Sequence, residues 1–368
     1  MFGPAAGQSP LRFSPARRKG ARVLAVWRPA KQMSGFAAIG RARQARFRDA
    51  SPTISDAART PDDQKGRRHG HLLALGHEEE NLFPPLRGAD GARQFFTARR
   101  IAWWRSGRSG DAKGLDAPTR NLASSQVSCV NFLLPLAGVR GALVALLRAI
   151  DPRVAEVLPL RYAGLSSPVE FEWTGFRTTL EGRPPTRGAL VTSADALIVA
   201  RKQRGGRCAY LFEWKCVEAY PVGKWLGHGS SGRTRLGRYS SPYATEGSSF
   251  TGAFPLGYLL YEPLYQLTRL RLLADKMVRE AEFGISEAKV VAACPRENAA
   301  YRETITSPPL RERLRQAKTI EDAFRAVLRE PAGFTMTSQE DLIGALRRSD
   351  AVHALTEWFT YHHERYGW

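Results

Sequence analysis

The 368-residue chain carries 55 Lys and Arg against 35 Asp and Glu, a formal net charge of +20, with 43% hydrophobic and 10% aromatic residues. That composition suits a globular protein of one or two domains and points to a polyanionic partner, most simply nucleic acid. No apolar run reaches the ~18–20 residues of a membrane span, Val23–Trp27 is too short for a signal-peptide core, and Cys129, Cys208, Cys216 and Cys294 are too widely spaced for a zinc ribbon or a disulfide framework.

The charge is uneven. Residues 1–75 hold 15 Lys and Arg against 4 Asp and Glu, roughly half of the whole excess. Their Ala, Arg, Gly, Pro and Ser composition shows no sustained period of 3.6 or 2, so residues 1–76 are expected to be a disordered basic tail. The domain proper is expected over residues 77–306. In Gln94–Trp104 aromatic and basic residues interleave, a pattern that can stack on bases but more commonly packs inside. Asn121–Leu136 reads as a helix started by Ser124 or Ser125, with Gln126 and Asn131 as its notable polar members. Gly141–Ile150 is a second apolar helix, stopped at Asp151-Pro152.

Pro168–Trp173 alternates, with Glu170 and Glu172 on one face and Val169, Phe171 and Trp173 on the other. A solvated acidic edge explains that strand as readily as an extra carboxylate for a site. Ser193–Tyr220 then reads as two apolar strands, Ala196–Ala200 and Cys208–Trp214, joined by a turn containing Gly205-Gly206. Glu213 and Lys215 point the same way from the second strand, and hairpin pairing returns Asp195 to the same end. Two carboxylates and an amine meeting at one sheet end suggest a divalent-metal site with a charged helper. A surface ion-pair network is the plainer alternative, against which stand the apolar neighbours Tyr210, Leu211, Phe212 and Trp214.

Pro221–Gly257 reads as a long Gly- and Ser-rich loop carrying Lys224, His228, Arg233, Arg235 and Arg238, able to clasp a nucleic-acid backbone, act as a lid, or be a plain insertion. Glu262–Glu280 is a helix with Leu264, Leu267 and Met277 on its apolar face, and Glu287–Ala293 is a short buried strand. From Pro308 onward only helices are expected, so residues 307–368 read as a helical extension packed on the domain. His362-His363 suggests a surface role.

The central elements follow the order αβββαβ, with Asp195 on the second strand and Glu213-Trp214-Lys215 on the third. This resembles the PD-(D/E)XK nuclease superfamily. The stretches ENLFPPLRG, SSQVSCVNFLLPL, VEFEW, TSADALIV, LFEWKCVEAY and YEPLYQL are similar to a restriction-endonuclease-like bacterial branch of it, across residues 78–300. Ala194 stands where the motif name has Pro. The resemblance implies an α/β restriction-endonuclease-like core, a mixed central sheet flanked by helices, with additional C-terminal helices. It also implies a Mg²⁺-dependent phosphodiester hydrolase, most simply a DNA endonuclease, with Mn²⁺ as a substitute ion and a homodimer as one option; the four unpaired cysteines read separately as reduced, mostly buried thiols of a cytoplasmic protein.

Mg²⁺ takes hard oxygen ligands, usually one or two carboxylates completed by waters and substrate phosphate. Asp195 and Glu213 are the expected ligands, joined by the main-chain carbonyl of Trp214, while Lys215 orients or deprotonates a water or stabilises transition-state charge. Glu172, Gln126 and Gln266 are supporting candidates. The competing expectation is a non-cleaving nucleic-acid-binding protein on the same fold.

Overall fold

The computed structural model describes residues 30–60, 63–64, 67–104, 117–162, 164–184 and 191–368. Among them, six strands form one mixed sheet: β1 (Val154–Leu158), β2 (Glu170–Trp173), β3 (Ala194–Lys202), β4 (Arg207–Trp214), β5 (Glu287–Ala293) and β6 (Phe334–Thr337). The spatial order is β6-β5-β4-β3, with the outer edge of β3 covered by two short strands end to end. β2 pairs with Ala194–Leu197 and β1 with Val199–Lys202, both antiparallel. β4 runs antiparallel to β3, while β5 and β6 are added in parallel. The β3–β4 turn needs positive φ at Gly205 (+80°) and Gly206 (+75°), a conformation that side chains resist.

Strand alternation divides the interior into two cores. Ala196, Ile198, Tyr210, Phe212 and Trp214 face α2 (Ser125–Leu136) and α3 (Ala142–Arg148), while Leu197, Val199, Ala209 and Leu211 face α5 (Leu264–Arg279). Ser124 caps α2 by accepting from Val127 N, and Thr319 with Asp322 forms a capping box on Ile320–Ala326. The four cysteines are buried free thiols. No helix among the described residues is long and apolar enough to cross a membrane.

Several expectations are corrected. The tail expected to be disordered contains helix α1 (Ala30–Ala50), where Phe47 lies edge-on to Tyr361 at 5.7 Å and Gln44 Nε2 donates to Arg365 O at 3.0 Å. Residues 1–29 lie outside the described set. The Pro221–Gly257 stretch, read as loop, holds helix α4 (Gly229–Ala244), pinned by buried Tyr239 and Tyr243. Its many Ser and Gly residues hide that helix, because local propensity there is weak and packing supplies the order.

The segment after Pro308 is not helical throughout. Beside α6 (Gln339–Arg347) and α7 (Thr356–Tyr366), β6 extends the sheet by pairing Phe334 with Val290 and Met336 with Ala292. A boundary at residue 307 therefore cuts one sheet. β1 is also additional to the expected strand set. His362 is not a surface residue: it is buried against Phe132, Trp358 and Trp368, and its Nε2 meets Asn131 O at 3.3 Å.

Candidate active site

The β3–β4 ladder pairs Ala196 with Phe212. One step further along the same antiparallel register, Asp195 stands across from Glu213. Side chains directly opposite in such a pair have Cβ atoms about 5 Å apart. Asp195 Oδ2 accepts the Trp214 N–H at 2.6 Å, which locks the carboxylate over the end of β4. Lys215 Nζ donates to Glu213 Oε1 at 2.5 Å, and both residues are more than nine-tenths buried. The lysine backbone is held on both sides, its N–H by Ala293 O (2.8 Å) and its carbonyl by Gln339 Nε2 (2.9 Å). The Trp214 side chain turns to the opposite face, where its indole donates to Ser128 Oγ at 3.1 Å and the ring meets Phe132.

Glu172 sits on the neighbouring strand with φ +48°, a left-handed conformation in a non-glycine residue. The strand alternation breaks there. Phe171 enters the α2 core and Trp173 the α5 core, so the expected sharing of one face by Val169, Phe171 and Trp173 does not hold. Glu170 separates from Glu172 as well, and is buried in an ion pair with Arg99 at 3.0 Å. The Glu172 carboxylate is fully partnered: Oε1 accepts from Trp104 Nε1 (2.7 Å) and Gln126 Nε2 (2.9 Å), and Oε2 from Ser193 Oγ (2.9 Å). Gln126 also receives the Trp104 N–H at 2.7 Å. Gln126 thus orients Glu172 rather than reaching the Asp195–Glu213 pair itself.

On the α5 side, Gln266 Oε1 accepts from Tyr220 Oη at 3.4 Å, and Tyr220 acts electrostatically on Lys215. Glu218 Oε2 accepts the N–H groups of Cys216 (2.6 Å) and Val217 (2.8 Å), shaping the chain as it leaves the motif. Two residues that were not singled out from the sequence adjoin the pair. Glu262 and Arg269 both lie within the field of Glu213, and each keeps a buried polar atom, Oε2 and Nε respectively, without a hydrogen-bond partner. Glu262 is part of the quoted YEPLYQL stretch, where its place at the head of a helix beside a candidate site was the available signal. Ser193 and Trp104 had no comparable signal, because their roles depend on the bend at Glu172.

Burial, then repulsion from Glu213 and Glu172, raises the Asp195 carboxyl well above its ordinary range, against the opposing Lys215 charge. Burial likewise pushes Glu172 up to about 7 despite its three hydrogen-bond donors. At Lys215 burial works against the charged form, but Glu213 above all, with Tyr220, Glu218 and Asp195, holds the ammonium well above its ordinary value. Among the described residues no group of three His, Cys, Asp or Glu is arranged as a metal cage. The carboxylate oxygens of Asp195 and Glu213 are hard donors, the ligand type that Mg²⁺ takes with water and phosphate oxygens completing its shell.

A family model described as "Restriction Endonuclease associating with ARP" (REase-ARP) matches residues 63–367. No curated protein and no solved structure matches the chain.

Proposed function

The chain belongs to this restriction-endonuclease family, matched over all but its first 62 residues and its last, and on that premise we propose that it is a Mg²⁺-dependent DNA endonuclease of PD-(D/E)XK type. The observation that carries this reading is the cross-strand pair Asp195 and Glu213 with Lys215 at the same sheet end. A surface ion-pair network has no need of burial, whereas here Glu213 and Lys215 are buried and the Glu213 charge helps to raise the half-buried Asp195 carboxyl.

In this reading Asp195, Glu213 and the Trp214 carbonyl hold the cation, and Mn²⁺ substitutes for Mg²⁺. The bound ion supplies Lewis-acid polarisation of the phosphate and a lowered pKa for water. Lys215 faces the charge that develops on the phosphoryl oxygens and either stabilises it or orients the attacking water. Glu172, set by Gln126, Trp104 and Ser193, keeps the Asp195 end of β3 in place, while Tyr220 and Gln266 line the α5 side. Association with ARP, named in the family's description, extends to this chain as part of the same proposal.

Supercoiled plasmid incubated with the purified chain and Mg²⁺ or Mn²⁺ tests it. Wild type is expected to nick or linearise the DNA, and Asp195→Ala and Lys215→Ala to be inactive while remaining folded by circular dichroism. Equal cutting by all three proteins defeats the assignment. Salt-dependent DNA binding without cleavage would favour the non-cleaving alternative.

A further inference from the structure

The 27 residues between Glu218 and Glu246 contain no Asp or Glu, against Lys224, Arg233, Arg235 and Arg238. They include α4, whose inward side is well anchored. Tyr239 Oη donates to Glu181 Oε1 at 2.8 Å, Tyr243 Oη to Phe254 O at 2.6 Å, and Arg235 Nη1 to Leu226 O at 2.8 Å. The outward side is different. Arg233 and Arg238 are exposed, and among the described residues neither has an ion-pair or hydrogen-bond partner. The neighbouring Thr234 and Ser240 hydroxyls turn back onto their own helix, donating to Ser230 O and Leu236 O.

The buried side of the same helix is linked to the segment that carries the candidate site. Glu181 Oε1, which holds Tyr239, also accepts from Thr192 N (2.9 Å) and Thr192 Oγ1 (2.7 Å), in the segment that leads into Asp195. Tyr239 packs against Tyr265, over which Arg269 also lies at 4.7 Å, and Arg269 feels the Glu213 charge. A short hydrogen-bonded path therefore ties the helix to the strand bearing the catalytic carboxylate.

We propose that the exposed face of α4 clamps the phosphate backbone of duplex DNA, with Arg233 and Arg238 as the phosphate-contacting cations. The proposal rests on the nuclease reading for its choice of occupant. Unpaired arginines on an acid-free element complement a polyphosphate, and the nuclease reading selects DNA among polyanions. Such contacts position the duplex without reading its sequence, so every DNA gains equally.

The test is fluorescence anisotropy of the full chain with a labelled DNA duplex in EDTA, titrated from 50 to 200 mM salt so that cleavage does not intervene. Each phosphate contact contributes about 0.9 to the slope of log K against log salt, so Arg233→Gln with Arg238→Gln should flatten it by about 1.8. Affinity should fall at least ~10-fold at low salt, with an unchanged melting temperature. The control is Arg201→Gln with Arg204→Gln at the far end of the β3–β4 hairpin, which removes the same charge and should leave binding near wild type. Wild-type slope and affinity in the α4 pair overturn the proposal, and so does equal weakening by both pairs, which would mean diffuse attraction. Plasmid cutting by wild type is read separately. Its failure removes the nuclease reading, while the binding arms still decide whether α4 holds DNA.

Discussion

Lys215→Met separates a metal-binding site from an ordinary buried ion pair. Lys215 Nζ lies 2.5 Å from Glu213 Oε1, with both side chains about nine-tenths or more out of solvent. At that distance the gross attraction at an effective dielectric of 20 is about 6–7 kcal/mol. Desolvation of both groups offsets much of it, yet removing one partner leaves a buried carboxylate uncompensated, which typically destabilises by about 3–5 kcal/mol. In EDTA at pH 8, urea melts should therefore show the variant less stable by that amount. Mn²⁺ should then restore more stability to the variant than it adds to wild type, since in the variant the ion answers two carboxylates with no ammonium beside them. At 100 times its Kd the ion contributes about 2.7 kcal/mol. Plasmid cutting should stay absent even in the metal-stabilised variant. If Mn²⁺ moves neither melt, Asp195 and Glu213 do not hold a cation and the site is an ion pair only.

Three further outcomes follow from buried charge. The folded chain holds a proton on Asp195 that the unfolded chain has already released, so this group's contribution is fullest below its ordinary pKa and declines as pH rises. Asp195→Asn should accordingly melt higher than wild type in EDTA at pH 8, lose its Mn²⁺ response and lose cutting; a lower melting point would refute the repulsion argument. For Glu172 the rise from 4.5 to about 7 corresponds to roughly 3 kcal/mol, lost as pH climbs through that interval. Glu172→Gln should flatten wild type's decline in stability between pH 4.5 and 7, measured by urea melts at both ends.

His362 runs the other way: burial lowers its pKa to about 3, and its Nδ1 is buried without a partner. The unfolded chain therefore takes up a proton near pH 6.5 that the folded chain refuses, and stability falls by up to about 1.4 kcal/mol per pH unit on acidification below that point. His362→Phe, placed among the rings of Phe132, Trp358 and Trp368, should weaken that acid sensitivity between pH 6.5 and 4. An unchanged acid limb would show that other groups set it.

Much of the fold and the centre of the site were legible because they rest on short-range patterns. Period-two alternation on either side of Gly205-Gly206 specifies a hairpin, and the count from Asp195 to Glu213 specifies which residues meet at its open end. Glu287–Ala293 and the helix over Leu264–Arg279 were readable for the same reason. The less regular elements were not. β6 has only four residues and is a strand because β5 offers it a parallel edge, which no local pattern announces. Helix α1 reads as basic low-complexity sequence because, among its described side chains, only Gln44 and Phe47 are buried, and their partners lie more than 300 residues away on α7.

The site shows the same division. By itself the sequence determined that Asp195, Glu213 and Lys215 share one sheet end, since a strand's geometry depends on immediate neighbours. Only the tertiary structure decided what surrounds them. The left-handed turn at Glu172 sends its carboxylate to Trp104, Gln126 and Ser193, and long-range packing brings Arg269 and Glu262 within the field of Glu213. Those arrangements arise from contacts between distant segments and from the burial of charge, whose energies depend on the assembled interior rather than on any local run of residues.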